Sequence, residues 1–269
     1  MRLLSQNRDG DFCLTRPLTG TEIPFYAILS HTWGADTEEV TFQDIVNGTG
    51  TDKTGYDKIR FCADTARRDG LIYFWIDTCC IDKRDAAELS EAINSMFKWY
   101  QNAARCYVYL SDVSAEGHVQ GSLPSGSPWV PAFRASRWFT RGWTLQELLA
   151  PASVHFFSQD RTLLGDKDSL QQQIHEITGI AISALCGRPL TDFSNEERFN
   201  WAEDRQTSRE EDWAYCLLGI FGVFISPIYG EGKANAIRRL RKEINEFLHK
   251  EDTHIHQHCK SLRPSIHYP

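Results

Sequence analysis

Four short, mostly apolar runs constrain this chain more than anything else in it. Residues 25–29 (FYAIL), 71–76, 105–110 (RCYVYL) and 154–157 are too short for ordinary helices and too apolar for one-sided strands. That is the pattern of strands buried on both faces. Between the first two runs, Ile59, Cys62, Ala63 and Ala66 recur at helical spacing, and Gly70 stands where a left-handed residue ends a helix. Between the second and third, Leu89, Ile93, Met96, Phe97 and Tyr100 mark an amphipathic helix whose apolar stripe belongs to the core. A short helix after Thr144 precedes the fourth run. Alternation of strand and helix predicts an α/β fold, a parallel sheet flanked by helices.

Open α/β sheets bind ligands beyond the carboxyl ends of their strands. Three polar clusters fall there. The first run leads into Ser30-His31-Thr32-Trp33-Gly34, and the second into Asp77-Thr-Cys-Cys80-Ile-Asp82-Lys83. The third cluster is SRWFTRGWTLQELLAP, residues 136–151, which carries Trp138, Trp143 and the acidic residue Glu147 ahead of a proline. Thr144 and Glu147 have the spacing of a capping box, in which the glutamate would bond its own backbone. Trp143 and Glu147 are also one helical turn apart, which sets a carboxylate beside an aromatic wall. Local pattern favours the cap, and convergence of the three clusters on one sheet edge favours a ligand role. His31 and Trp33 are candidate ligand contacts, with loop packing as their alternative. Asp77 and Asp82 are candidates for the rim of the same site, with helix capping or solvent exposure as their alternatives.

The 269 residues carry a formal charge of −7, which argues against nucleic acid as partner. The basic run at Arg238–Lys242 reads as the solvated face of a helix. The N-terminal residues turn polar too soon for a secretion signal, and no stretch reaches the length of a membrane span, so a cytoplasmic protein with no membrane partner is expected. Its eight cysteines are then thiols, and adjacent Cys79-Cys80 is a poor zinc pattern. No metal site is expected, the histidines 254, 256 and 258 included. Residues 114–131, rich in Ser, Gly and Pro, are the candidate flap. Beyond residue 160 helical signals take over, with capping boxes at Ser194–Glu197 and Ser208–Glu211 and a final helix over 233–248. The expected organisation is an α/β domain over 1–160, a helical extension over 161–250 packed on it, and a polar, disordered tail over 251–269. The sequence GEGK at 230–233 lacks the spacing of a phosphate loop.

The stretches YAILSHTWG (26–34), WIDTCCIDK (75–83), RWFTRGWTLQELLAP (137–151) and EDWAYCLLGIFGVFISPIYGEG (211–232) resemble the fungal HET (heterokaryon incompatibility) domain. The resemblance spans most of the chain and implies a role in fungal nonself recognition and programmed cell death. It also implies self-association on activation and an upstream immune receptor or partner incompatibility protein. The HET domain in turn is similar to the TIR domain, which implies a TIR-like, flavodoxin-like sheet. Enzymatic TIR domains cleave NAD⁺ between nicotinamide and ribose with a glutamate, and signalling relatives assemble without chemistry. Carried onto this sequence, the resemblance makes Glu147 the catalytic residue of an NAD⁺ glycohydrolase. It places Ser30, His31, Trp33, Asp77, Cys80, Asp82 and Trp143 around NAD⁺ as substrate, without a metal.

Overall fold

A computed structural model describes residues 1–115 and 127–261, with side chains through residue 249. Its centre is a seven-stranded sheet: β1 (Leu4–Gln6), β2 (Phe12–Leu14), β3 (Tyr26–His31), β4 (Tyr73–Trp75), β5 (Arg105–Leu110), β6 (Val154–Ser158) and β7 (Leu163–Asp166). The order across the sheet is β2-β1-β4-β3-β5-β6-β7. The four expected runs form the inner strands, β4-β3-β5-β6, all parallel. Every residue of β3 is buried, as the apolar run predicts for the middle of a sheet covered on both faces.

Helix Tyr56–Arg68 connects β3 to β4, and helix Ala86–Asn102 connects β4 to β5. The first ends as predicted: Gly70 has φ +76°, and the Leu71 amide closes back onto the Ala66 carbonyl at 2.8 Å. The second is capped by Asp85, whose carboxylate accepts from the Ala87 and Glu88 amides. The chain leaves β3 for β4 on one side and returns to β5 on the other. A crevice therefore opens beyond the carboxyl ends of these strands.

The edges differ from the sequence expectation. The hairpin β1-β2 adds antiparallel to β4, and β7 adds antiparallel to β6, so the segment from residue 161, read as wholly helical, begins with a strand of the sheet. Strands of three or four residues carry too little periodicity to be seen. Most of the candidate flap, residues 116–126, lies outside the described residues. Its end is packed structure: Trp129 is buried and helix Val130–Arg134 follows. A large indole that can be buried outweighs a loop-like composition.

Short helices dominate the rest. The capping box at Ser194–Glu197 forms, whereas Ser208 and Glu211 make none; helix Asp212–Tyr215 starts without a side-chain cap. Glu211 instead accepts the Gly230 and Gly232 amides at 2.7 and 3.1 Å, pinning the 228–232 turn. Helix Lys233–Ser261 runs past the expected end into the segment 251–269 read as a tail. The histidines at 254, 256 and 258 lie outside the described side chains, and residues 262–269 lie outside the described residues. No described helix is long and apolar enough to cross a membrane, and no described cluster of His, Cys, Asp and Glu has the makings of a metal site.

Candidate active site

Glu147 sits in helix Thr144–Leu149, all of whose side chains are buried. The predicted capping box does not form there. The Thr144 hydroxyl lies 2.6 Å from the Trp138 carbonyl and 2.8 Å from that of Arg141, and it receives Arg205 Nη1 at 2.9 Å. It is thus turned away from the amides of its own helix, which has no side-chain cap bond. Glu147 points across to the sheet. Ser30, near the end of β3, donates its hydroxyl to the Glu147 carboxylate and accepts the Trp138 indole N–H at 2.8 Å. Residues far apart in sequence thereby form one relay, Trp138 to Ser30 to Glu147, that fixes the carboxyl group.

Glu147 is 7 % exposed. Burial pushes its carboxyl up to about 8, opposed by the bond from Ser30 and reinforced by the nearby charge of Asp77; Tyr100 and Arg205 also favour the charged form. Arg205 is itself buried, which pulls its guanidinium down to about 10, and it bonds the carbonyls of Arg141 and Trp201. Tyr100 closes the other side, its hydroxyl donating to the Leu29 carbonyl at 2.9 Å. Free Glu147 is therefore mostly a neutral acid at neutral pH, and a cation placed beside it would draw it to the carboxylate.

Asp77, the first residue of helix Asp77–Cys80, forms a second acidic centre. One oxygen meets His31 Nε2 at 3.1 Å; the other accepts the Trp33 indole N–H at 2.9 Å and lies 3.6 Å from Lys83 Nζ. Partial burial pushes this carboxyl up, but Lys83, His31 and Trp33 together outweigh it and hold the group well below the usual carboxylate range. Lys83 also sits 3.7 Å above the Trp33 ring, a cation–π contact that keeps a half-exposed indole in place. Behind His31, Lys58 lies 3.3 Å from Nδ1 and pairs with buried Glu39, which also accepts the Gly34 amide at 2.6 Å. The loop after β3 is fixed by charge-assisted bonds.

Glu147, Tyr100, Asp77, His31, Trp33 and Lys83 line a cavity of about 210 Å³. Its apolar wall is Ile81, Leu89, Ile93 and Met96; its far wall comes from the C-terminal half, with Ser208, Arg209, Asp212 and Tyr229. Trp143 joins the two halves. Tyr229 donates its hydroxyl to Asp212 at 2.9 Å, and burial raises the Asp212 carboxyl, with Tyr229 and neighbouring Trp143 favouring its charged form.

Of the sequence-derived candidates, the structure brings together Glu147, Ser30, His31, Trp33, Asp77 and Trp143. Cys80 and Asp82 do not line the cavity. Cys80 is buried, its sulfur accepting the Ile76 amide, and burial pushes its thiol far up. Asp82 turns to Arg84 and to the Gln43 amide. The cause is local: the Asp77–Cys80 helix turns Cys80 into the core, and in the extended chain that follows Ile81 and Lys83 face the cavity while Asp82 between them does not. Sequence reasoning assigned no site role to Tyr100, Lys83, Trp138, Arg205 or the 208–229 wall. Tyr100 was visible only as one member of a core stripe, and Asp212 and Tyr229 belong to a resembling stretch with no chemical signature.

Comparison with known proteins gives two findings. The family profile described as "Heterokaryon incompatibility protein (HET)" matches residues 26–126. The chain is similar to "Vegetative incompatibility protein HET-E-1" of Podospora anserina, with 54 % identity over 246 residues, covering 91 % of this chain and 18 % of that protein. It thus spans less than a fifth of that relative's length. No solved structure matches the fold.

Proposed function

This chain belongs to the heterokaryon incompatibility (HET) family, and from that membership and the cavity geometry we propose that it cleaves NAD⁺ at the nicotinamide–ribose bond. The reaction would serve fungal nonself recognition and programmed cell death. One observation carries the reading: a glutamate that could have capped its own helix instead points to a serine at the carboxyl end of a central strand, beside a cavity with aromatic and acidic walls. The strand order β4-β3-β5-β6 supports a flavodoxin-like, TIR-like reading of the sheet.

The chemistry asks little of the protein. The nicotinamide of NAD⁺ is a pyridinium and leaves as a neutral molecule, taking the electron pair of the broken C–N bond. No acid is needed on the leaving group, unlike ordinary glycoside cleavage. Positive charge develops on the ribose, water forms the new C–O bond, and a proton is released with ADP-ribose. The pyridinium draws Glu147 to its ionised form, and the carboxylate then stabilises the charge on the sugar. Ser30 and the Trp138 indole hold it in place. Trp143, which lines the cavity with Glu147, gives the ring an aromatic wall.

A second reading, a death-signalling module acting by self-association or recruitment, draws on the same carboxyl. With its proton on, Glu147 is a satisfied core hydrogen bond with no chemical task. Expression in fungal cells separates the two. The enzymatic reading expects parental protein to deplete NAD and kill, and Glu147→Gln to do neither while accumulating equally. Killing without NAD loss, unchanged by Glu147→Gln, would establish the signalling module instead.

A further inference from the structure

Carboxyl and guanidinium groups face the same cavity: Glu147 and the Lys83-paired Asp77 line one part, and Arg141 and Arg209 line another with Asp212. Neither guanidinium forms a salt bridge among the described residues. Arg141 Nη2 donates to Ser208 Oγ at 2.8 Å, and Arg209 lies over the Tyr229 ring at 4.1 Å. The fields of Asp212 and Glu211 reach Arg209 without engaging it in an ion pair.

The backbone builds this pairing. Arg141 and Gln206 form a parallel bridge, with Gly142 N to Gln206 O at 2.8 Å and Gln206 N to Thr140 O at 2.7 Å. The approach requires glycine at 142, because a Cβ there would lie 2.5 Å from Thr207 Cγ2. This clamp sets Arg141 immediately before the Glu147 helix and beside Ser208 and Arg209. Both arginines are thus held by neutral groups, with donor positions left over, at a fixed place relative to the carboxyl.

An acidic part beside a pair of arginines complements a ligand that carries a cation at one end and anionic oxygens at the other. We infer that Arg141 and Arg209 receive the diphosphate of a pyridinium dinucleotide, so that this chain selects the intact dinucleotide over a pyridinium riboside. Arg141 supplies a planar fork suited to phosphate oxygens, and Arg209 is oriented by its stacking on Tyr229. The inference rests on the NAD⁺ reading above for the cationic end and on the arginine pair for the anionic end.

The test compares NAD⁺ with nicotinamide riboside, which keeps the reacting bond and lacks the diphosphate. Binding is measured calorimetrically and nicotinamide release separately, for the parental chain, Arg141→Ala, Arg209→Ala, the double variant and both Lys substitutions. A charge-assisted phosphate contact is worth about tenfold or more in affinity. The double variant is expected to lose about 100-fold for NAD⁺ and little for the riboside, with partial recovery in the Lys variants. Salt should weaken NAD⁺ binding to the parental chain and much less to the double variant. Equal losses for both ligands, or no loss for NAD⁺, overturn the inference whether or not the bond is cleaved. A selective loss of NAD⁺ binding with no nicotinamide released from any form would uphold the diphosphate site and end the glycohydrolase reading. Unchanged melting temperatures separate ligand contacts from folding defects.

Discussion

Glu147 directs its carboxyl across to the sheet and not back to its own helix. Its spacing from Thr144 reads as a cap, and only coordinates reveal a carboxyl aimed at Ser30. The lesson is physical: a capping box competes with any better partner, and a buried serine hydroxyl on the sheet edge is one. The resulting pH dependence has a definite sign. Glu147 ionises at about 8 in the fold against an ordinary 4.5, so the folded chain retains a proton that the unfolded chain has released. Stability from this group is fully present below the unfolded value and is lost as pH rises through about 8. Urea denaturation between pH 5 and 8.5 should therefore show a fall that Glu147→Gln flattens. The variant is expected to be the more stable of the two at the alkaline end, by on the order of 1–3 kcal/mol. At Ser30, alanine would strip one donor from the carboxyl and leave the Trp138 indole N–H without its acceptor. A loss of about 2–3 kcal/mol in chemical denaturation is expected, since a buried donor left unpaired carries its full desolvation cost.

At the scale of elements, the inner strands and the two long connecting helices were legible because each carries a long or uniformly apolar signal. Gly70 ended its helix as read, and Ser194–Glu197 formed its box. The edge strands were not legible, because pairing with a neighbour, and not their own composition, makes three residues a strand. The candidate site was legible as clusters; Cys80 was misplaced because a helical turn carries it into the core, and Asp82 because in the extended chain after that turn its neighbours Ile81 and Lys83 take the cavity side. Packing between elements adds one prediction. Helix Leu218–Phe221 approaches helix Ala86–Asn102 so closely that a Cβ on Gly219 would meet Phe97 Cβ at 2.0 Å. Gly219→Ala is expected to cost about 1–3 kcal/mol by overpacking, read as a lowered melting temperature. Because helix Ala86–Asn102 also supplies Leu89, Ile93, Met96 and Tyr100 to the cavity, ligand binding should weaken with it.

Across the whole molecule, the α/β half and the C-terminal half share one cavity. The first supplies His31, Trp33, Asp77 and Glu147, and the second supplies Ser208, Arg209, Asp212 and Tyr229. Arg205 crosses between them to hold the start of the Glu147 helix. A division at residue 160 would thus remove β7 from the sheet, one wall from the cavity and the buried partner of Thr144. A chain ending there is expected to be insoluble or molten, whereas the full chain unfolds cooperatively; near-ultraviolet circular dichroism of the two checks this. The most direct measurement of the central claim is nicotinamide release from NAD⁺ by the purified chain across pH. The account predicts a kcat/KM that climbs as pH rises through about 8 and falls by at least about 100-fold in folded Glu147→Gln. Release by Glu147→Gln at the parental rate, or NAD⁺ left intact by the parental chain at every concentration and pH, would contradict it.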